Sequence, residues 1–377
     1  MDIDSSLTGG RIGVAVIGFG WMGEVHTRAY LRLAHHYPEL PLRADLIAVA
    51  DEVPGRAEEA ADQFGFATAT NDWRDVVADP RVHAVSITAP NYLHRQIGTA
   101  VAAAGKHLWI EKPVGLTSDD ARAVAAAAAS SGVQGTVGYN YRNPPAVAAA
   151  HELISAGAIG AVTHARFRFF SDYAAHPQSA LTWRFTRDRG GDGVLGDLAS
   201  HAVDLACHLV GEISSVVADT AIFVPARSMP DGVTTGHVRG SGAPGQVEND
   251  DYVSCLVRFA SGARGVIEAC RTAAGEQNSY GFEVHGSSGA LWWDFRRMGE
   301  LVVSSGDDYQ DQPACTVRAG PSHGDFAAFQ PGVATAMSYD DLKVIEASRF
   351  FRSIAEGRPH GAVLADAVQA AAVLDAI

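Results

Sequence analysis

Residues 11–23 read RIGVAVIGFGWMG, and this stretch decides the fold. An apolar run from Ile12 to Ile17 ends in glycines, and EVHTRAYLRLAHH, residues 24–36, continues with helical spacing. A strand that passes through Gly18, Gly20 and Gly23 into a helix is a GxGxxG turn. Each glycine has its own physical task. The first permits the tight turn, the second removes a Cβ where a pyrophosphate must approach the backbone, and the third lets helix and strand pack closely. The phosphates then lie at a helix N-terminus, where free N–H groups and the dipole favour anions. The spacing alone is a weak signal, and its place between a first strand and a helix strengthens it.

Outward from this turn the same grammar repeats. ADLIAVAD, HAVSITAP, KHLWIEK and GTVGYN read as strands, and PGRAEEAADQFG, WRDVVAD, NYLHRQIGTAVAAAG and SDDARAVAAAAASSG read as helices, the last with Ser118 as its N-cap. Continuous apolar strands alternating with helices predict a doubly wound parallel sheet covered on both faces. This pattern fills residues 11–139, so the first domain is set at 1–139 and the second at 140–377. In the second, the helix PAVAAAHELISAG precedes THARFRFFSDY, which alternates as a half-exposed strand does. Two hairpins follow, one around Ser261-Gly262 and one around Ser287-Ser288-Gly289. They predict an α/β domain with a large open, mostly antiparallel sheet. Residues 225–248 read as a long surface loop, residues 304–336 as irregular, and the chain closes with two helical stretches.

The formal charge of −14 argues against nucleic-acid and anionic-membrane partners, which reward basic patches. Cys207, Cys255, Cys270 and Cys315 are scattered without a CxxC, as idle thiols in a reducing compartment are. The start MDIDSSLTGG is polar and acidic, unlike a signal peptide, and no apolar run approaches the ~18 residues of a membrane span. A cytoplasmic location is expected.

Three further places carry chemistry. The second strand ends at Asp51, whose carboxylate can accept both ribose hydroxyls and repel a 2′-phosphate. NAD is therefore expected, and NADP stays open because Arg56 can reach a phosphate. The fourth strand ends at Ala89-Pro90-Asn91-Tyr92-Leu93-His94, on the edge where open α/β sheets bind ligands. Asn91 reads as a helix N-cap, either alone or while also holding the nicotinamide ribose. The fifth strand runs into Glu111-Lys112-Pro113 on that same edge. Either the charges form a solvated ion pair, or Lys112 lowers the pKa of a substrate hydroxyl and passes its proton on as hydride leaves. Pro113 fixes the local turn and is a candidate cis proline. In GDLASHAVDLACH, Asp197 and His201 are four apart and share a face if the helix starts near Asp197. Asp197 then reads as an N-cap, as a metal ligand with His201 and His208, or as the carboxylate partner of a proton-carrying His201. His201 and His208 lie two turns apart, too far for easy joint ligation, and no metal is expected.

Together, IGFGWMG, APNYLH, EKPVG and GDLASHAVD, in this order, resemble the Gfo/Idh/MocA family, the glucose–fructose oxidoreductase and inositol dehydrogenase group. VGYNYRNPPAV, LTWRF and SYDDLKVIEASRFF look closest to its levoglucosan- and inositol-type sugar dehydrogenases. The resemblance implies a Rossmann domain, an open-sheet domain, and NAD(P)-dependent hydride transfer between a sugar or cyclitol hydroxyl carbon and the nicotinamide. It implies Lys112 as the catalytic lysine, with Asp197 and His201 holding the substrate and relaying its proton. It places Phe19, Trp21, Met22, Pro90, Asn91, His94, Glu111, Lys112, Trp183 and Arg184 beside the cofactor. Asn140, Tyr141 and Arg142 border the substrate or nicotinamide, although Tyr141 and Trp183 read equally as core or rim aromatics. The chain ends at LDAI within a helical pattern, where relatives usually continue. Two rival functions are an NAD-retaining glycoside-cleaving enzyme of the same family and a non-catalytic dinucleotide-binding sensor. A homodimer or homotetramer through the open sheet is expected, because large apolar faces seldom stay exposed.

Overall fold

The structure is a computed structural model that describes residues 10–230 and 239–377. It divides into two compact units, Met1–Asn140 with Ser338–Gln369, and Tyr141–Met337 with Ala370–Ile377. The expected polar leader falls on residues 1–9, outside the described residues.

The first unit alternates strand and helix: β1 (Arg11–Ile17), α1 (Trp21–His36), β2 (Arg43–Ala50), α2 (Arg56–Phe64), β3 (Thr68–Thr70), α3 (Trp73–Ala78), β4 (Ala84–Ile87), α4 (His94–Ala103), β5 (His107–Ile110), α5 (Ser118–Ser131) and β6 (Gly135–Val137). All neighbouring strands pair in parallel, in the order β3-β2-β1-β4-β5-β6. The chain reverses its direction of winding between β1 and β4, which opens a crevice at the carboxyl ends of those strands. β1, β4 and β5 are apolar because both faces of the sheet are covered, and Val14, Val16, Val85, Ile87, Leu108 and Ile110 are all fully buried. The N-cap of α5 is Thr117, whose hydroxyl accepts the Asp120 N–H, and Ser118 is the first helical residue. The two candidates are adjacent, and only the extended backbone of Thr117 aims its hydroxyl back at the helix.

The second unit contains α6 (Pro145–Ser155), β7 (Val162–Phe170), α7 (Arg187–Gly190), α8 (Ser200–Val210), β8 (Ile213–Ala221), β9 (Ala226–Ser228), β10 (Pro244–Gln246), β11 (Tyr252–Phe259), β12 (Arg264–Cys270), β13 (Ser279–Gly286), β14 (Gly289–Asp294), β15 (Glu300–Ser305) and β16 (Cys315–Arg318). Eight strands make one sheet in the order β16-β15-β14-β13-β7-β12-β11-β8. Every pair is antiparallel except β7 with β12, so the sheet is mixed at its centre. Alternate residues of β11 (Val253, Cys255, Val257, Phe259) are buried, while Leu256 and Arg258 between them are exposed. Part of the expected loop 225–248 pairs as the short ribbon of β9 and β10, and residues 231–238 lie outside the described residues. The stretch 304–336 is less irregular than its composition implies, because Cys315–Arg318 adds to the sheet edge as β16.

The chain then closes with α9 (Tyr339–Glu356) and α10 (Leu364–Asp375). α9 packs against α1 within the first unit. A single boundary at 139/140 thus leaves out the segment Ser338–Gln369, which groups with the nucleotide-type sheet. Among the described residues no helix is long and apolar enough to cross a membrane.

Candidate active site

The glycine turn has the geometry its spacing predicts. Gly18 sits at φ +90, and a Cβ there would come within 2.5 Å of the Ala89 backbone nitrogen. A Cβ on Gly23 would lie 2.5 Å from the Gly18 carbonyl oxygen, so helix and strand meet too closely for any side chain. A Cβ on Gly20 would meet nothing within 4 Å. The middle glycine therefore borders open space at the start of α1, where the first N–H groups have no intrahelical partner. That is the cradle a pyrophosphate needs.

Asp51, just beyond β2, is buried and serves this turn directly. Its carboxylate accepts the Phe19 N–H at 2.6 Å, the Val53 N–H at 2.9 Å and the Arg56 guanidinium at 3.1 Å. The Phe19 ring packs on Phe64 and Phe66, so this residue joins the core while its backbone joins the turn. Trp21 is 63% exposed and stacks on Tyr339, whose hydroxyl also lies 3.9 Å from the Met22 sulfur.

On the next edge Pro90 precedes a single 3₁₀ turn, Asn91–Leu93, and α4 starts only at His94. Neither element has a side-chain cap bond, so Asn91 is not the N-cap read from the sequence. His94 is buried, with Nδ1 2.7 Å from the Pro113 carbonyl and Nε2 2.7 Å from the Ala89 carbonyl. It ties the loop after β4 to the loop after β5. Burial pushes its pKa down, and the two carbonyl acceptors oppose that.

Glu111 is buried rather than solvated, which sets aside the solvated ion pair. Its Oε1 accepts Lys343 Nζ at 2.5 Å and His26 Nε2 at 2.9 Å, and Oε2 lies 3.3 Å from the Lys112 backbone N–H. Lys343 also reaches Glu346 Oε1 at 2.8 Å, and that oxygen accepts the Trp109 indole N–H at 2.7 Å. His26 Nδ1 meets Ser86, which Tyr30 also contacts. Burial pushes His26 down to about 4, so its ring is neutral. Burial also drives the Glu111 carboxyl upward, but the Lys343 ammonium and the His26 contact reverse this and hold it well below the usual carboxylate range. His26, Glu111 and Glu346 come within metal-ligating reach of one another, yet the Lys343 ammonium occupies the cation position among the carboxylates. The Lys112–Pro113 peptide is cis, and the Lys112 side chain is part-exposed.

In the second unit, Asp197 lies in a π-helical stretch, Leu195–Ala199, that runs directly into α8. The N-cap of α8 is Ala199, with no side-chain cap bond, so the capping role read for Asp197 is not found. Its carboxylate instead accepts the Tyr173 hydroxyl. His201, on the first turn of α8, is buried with its ring edge-on to Tyr141, 4.7 Å between centroids. The Tyr280 hydroxyl donates to the His201 carbonyl at 2.9 Å. Tyr141 is a core aromatic, packed among Phe169, Tyr280 and Phe295. Arg142 makes a buried two-point ion pair with Asp204, which occupies its guanidinium. Asn140, in the first unit, is also buried and lies against Tyr339. The Trp183 ring carries the Arg184 guanidinium 4.5 Å over its face, and both side chains are part-exposed.

Sequence reading missed Tyr173, His26, Lys343 and Glu346, because each acts through a partner distant in the chain. One signal was available for Lys343: the chain has three lysines against 26 arginines.

Comparison with known proteins agrees with these features. Residues 12–139 match the family model described as an oxidoreductase family with an NAD-binding Rossmann fold, and residues 147–292 match the GFO/IDH/MocA C-terminal domain. Levoglucosan dehydrogenase of Pseudarthrobacter phenanthrenivorans is 40% identical over 374 residues, 97% of this chain and 95% of that protein. Inositol 2-dehydrogenase of Rhizobium meliloti is 30% identical over 79% of this chain and 80% of its own length. A solved levoglucosan dehydrogenase in complex with NADH and levoglucosan superposes with a TM-score of 0.91 at 38% identity, covering 97% of this chain and 96% of the other. With an open cradle at Gly20, a carboxylate at the end of β2 and both family models in sequence, the chain belongs to the GFO/IDH/MocA oxidoreductases and carries their NAD-binding Rossmann domain.

Proposed function

We propose that this oxidoreductase is a dehydrogenase of a sugar or cyclitol hydroxyl, with an anhydropyranose of the levoglucosan type as its first candidate substrate. The observation that carries it is Lys112, at the carboxyl end of β5 on the same sheet edge as the open space beside Gly20. Likeness to levoglucosan dehydrogenase over nearly the whole chain supports the substrate class.

NAD, when bound, would supply the hydride acceptor. The chain's own residues bind it, orient the sugar and handle the proton. The turn of Gly18, Gly20 and Gly23 receives the dinucleotide phosphates, and Phe19, Trp21 and Met22 border the cofactor. Asp51 receives the ribose, and Pro90, Asn91, His94, Trp183 and Arg184 line the rest of the cofactor. As the substrate C–H bond gives up its hydride, the hydroxyl O–H must lose its proton. His201 and Lys112 take it, and Asp197, held by Tyr173, orients the imidazole. Atoms balance as one carbonyl, one NADH and one proton. Asn140, Tyr141 and Arg142 act indirectly, by packing and ion pairing behind the substrate position.

The test is the purified protein with NAD or NADP against pyranoses, anhydrosugars and inositols, read as NADH absorbance. Levoglucosan-type sugars with NAD give the fastest turnover, and a panel without turnover overturns the reading. Lys112→Met lowers kcat by at least about a thousandfold while NADH affinity stays within about threefold. Near-normal rates in that variant would remove the role of Lys112.

A second copy of the chain is proposed to cover the open sheet face, where Val217 and Leu256 are register partners and are 72% and 64% exposed. A cytoplasmic location fits the scattered free thiols.

A further inference from the structure

The buried charges behind Lys112 form one connected network. From Tyr30 it passes through Ser86 and His26 to Glu111, then through Lys343 to Glu346 and Trp109. Every member is at most 7% exposed, and Lys343, His26, Ser86 and Trp109 are at 0%. The network joins α1, β4, β5 and α9, and its Glu111 carboxylate lies directly against the residue that carries the proposed catalytic amine.

Such a network is an expensive way to stabilise a fold. Removing ions from water costs several kcal/mol each, and well-packed apolar residues of equal volume usually serve stability as well or better. Its residue choice is also specific. Arginine fills 26 of the 29 basic positions of this chain, and lysine occurs only at 106, 112 and 343. Lys106 is a buried ammonium that donates to the Asp79 and Val82 carbonyls. At 343 a compact ammonium sits between two carboxylates and beside an indole ring, 5.7 Å from its centroid, as a point charge rather than a planar guanidinium fork. The Glu111 carboxylate also lies close to the Gly138 backbone, where a Cβ would come 2.5 Å from its Oε1.

We propose that Lys343 is a positioning residue for the reaction: its ammonium pins the Glu111 carboxylate, and Glu111, against the Lys112 backbone N–H, fixes the loop that presents the Lys112 amine. This rests on the catalytic role proposed for Lys112. Lys343 does not touch substrate or cofactor in this scheme. It acts through Glu111, across 232 residues of sequence.

The test compares wild type, Lys343→Met, and the double variant Glu111→Gln with Lys343→Met. Lys343→Met leaves Glu111 buried without its counter-ion, so its Tm falls. The double variant removes both charges and regains Tm. Positioning predicts that kcat stays at least about tenfold below wild type in the double variant, with KM and NADH affinity within about threefold. Recovery of kcat together with Tm would reduce the network to a structural one and overturn the proposal, as would full kcat in Lys343→Met. A second readout does not need turnover. Reductive ¹³C-methylation labels accessible amines, and Lys112 is the one part-exposed lysine among three. Its methyl resonance shifts in the double variant if the loop is released, and an unmoved resonance overturns the proposal. A wild type that turns over no sugar defeats the functional reading alone, because the resonance still reports on the loop.

Discussion

Gly138 has no room for a methyl group, and the reason lies in its neighbour rather than in its own backbone. A Cβ there would meet all three carboxylate atoms of Glu111 within 2.6 Å. A free glutamate would swing aside at little cost, but this one is held by Lys343 and His26. Gly138→Ala should therefore cost about 1–3 kcal/mol of stability and displace the carboxylate from the Lys112 N–H. Urea unfolding and kcat measure the two effects, and a variant with wild-type values in both would show that Glu111 moves freely. At this scale the glycine turn was legible, because Gly18, Gly20 and Gly23 are defined by local spacing, even though the backbone that crowds Gly18 belongs to Ala89, just beyond another strand. Glu111 was only half legible. Its place at the end of a strand was clear, while its burial and its counter-ion come from a helix more than two hundred residues away.

Among the elements, α9 does most to set the environment behind the candidate site. Ser338 and Asp341 form a capping box that starts it, and Lys343 and Glu346, three apart, emerge on the same face. Burial is the largest influence on the Glu346 carboxyl and pushes it up to about 7, against the pull of Lys343. The folded state thus holds a proton there that the unfolded chain, near its ordinary value of 4.5, releases. This contribution is fully present below about pH 4.5 and is lost as pH rises through about 7. Glu346→Gln removes it, so the stability advantage of wild type over this variant should grow by about 2–3 kcal/mol between about pH 8 and about pH 5. His26 runs the other way, with its stabilising neutral form lost on acidification toward about 4, but it is present in both proteins and cancels. A pH-independent difference in urea unfolding would remove the titration from Glu346. The π-helical stretch at Leu195–Ala199 marks what element reading could not supply. Asp197 and His201 were placed by α-helical spacing, but Asp197 lies in this wider turn and its carboxylate accepts the Tyr173 hydroxyl.

For the molecule as a whole, the eight-stranded sheet presents one face to α6 and α8 and leaves the other with Val217 and Leu256 in the open. Leu256 pairs in register with Val217 on one side and Val266 on the other, giving a contiguous apolar stripe. If a second copy covers it, Leu256→Arg should weaken association at least about tenfold by sedimentation velocity, because a charge would be buried at the centre of an interface. A wild type that is monomeric at micromolar concentration ends that proposal. The sequence by itself determined the parallel sheet of the first unit, the open sheet of the second, the nucleotide turn and the edge on which Lys112 stands. These follow from short-range periodicity and from glycine, proline and charge at strand ends, which are properties of neighbouring residues. Only the tertiary structure decided that Ser338–Gln369 returns to the first unit, that Arg142 is consumed by Asp204, and that Lys343 neutralises Glu111. Those outcomes depend on which charges meet in the dry interior, where an unpaired ion is too costly to keep, and no local pattern encodes that meeting.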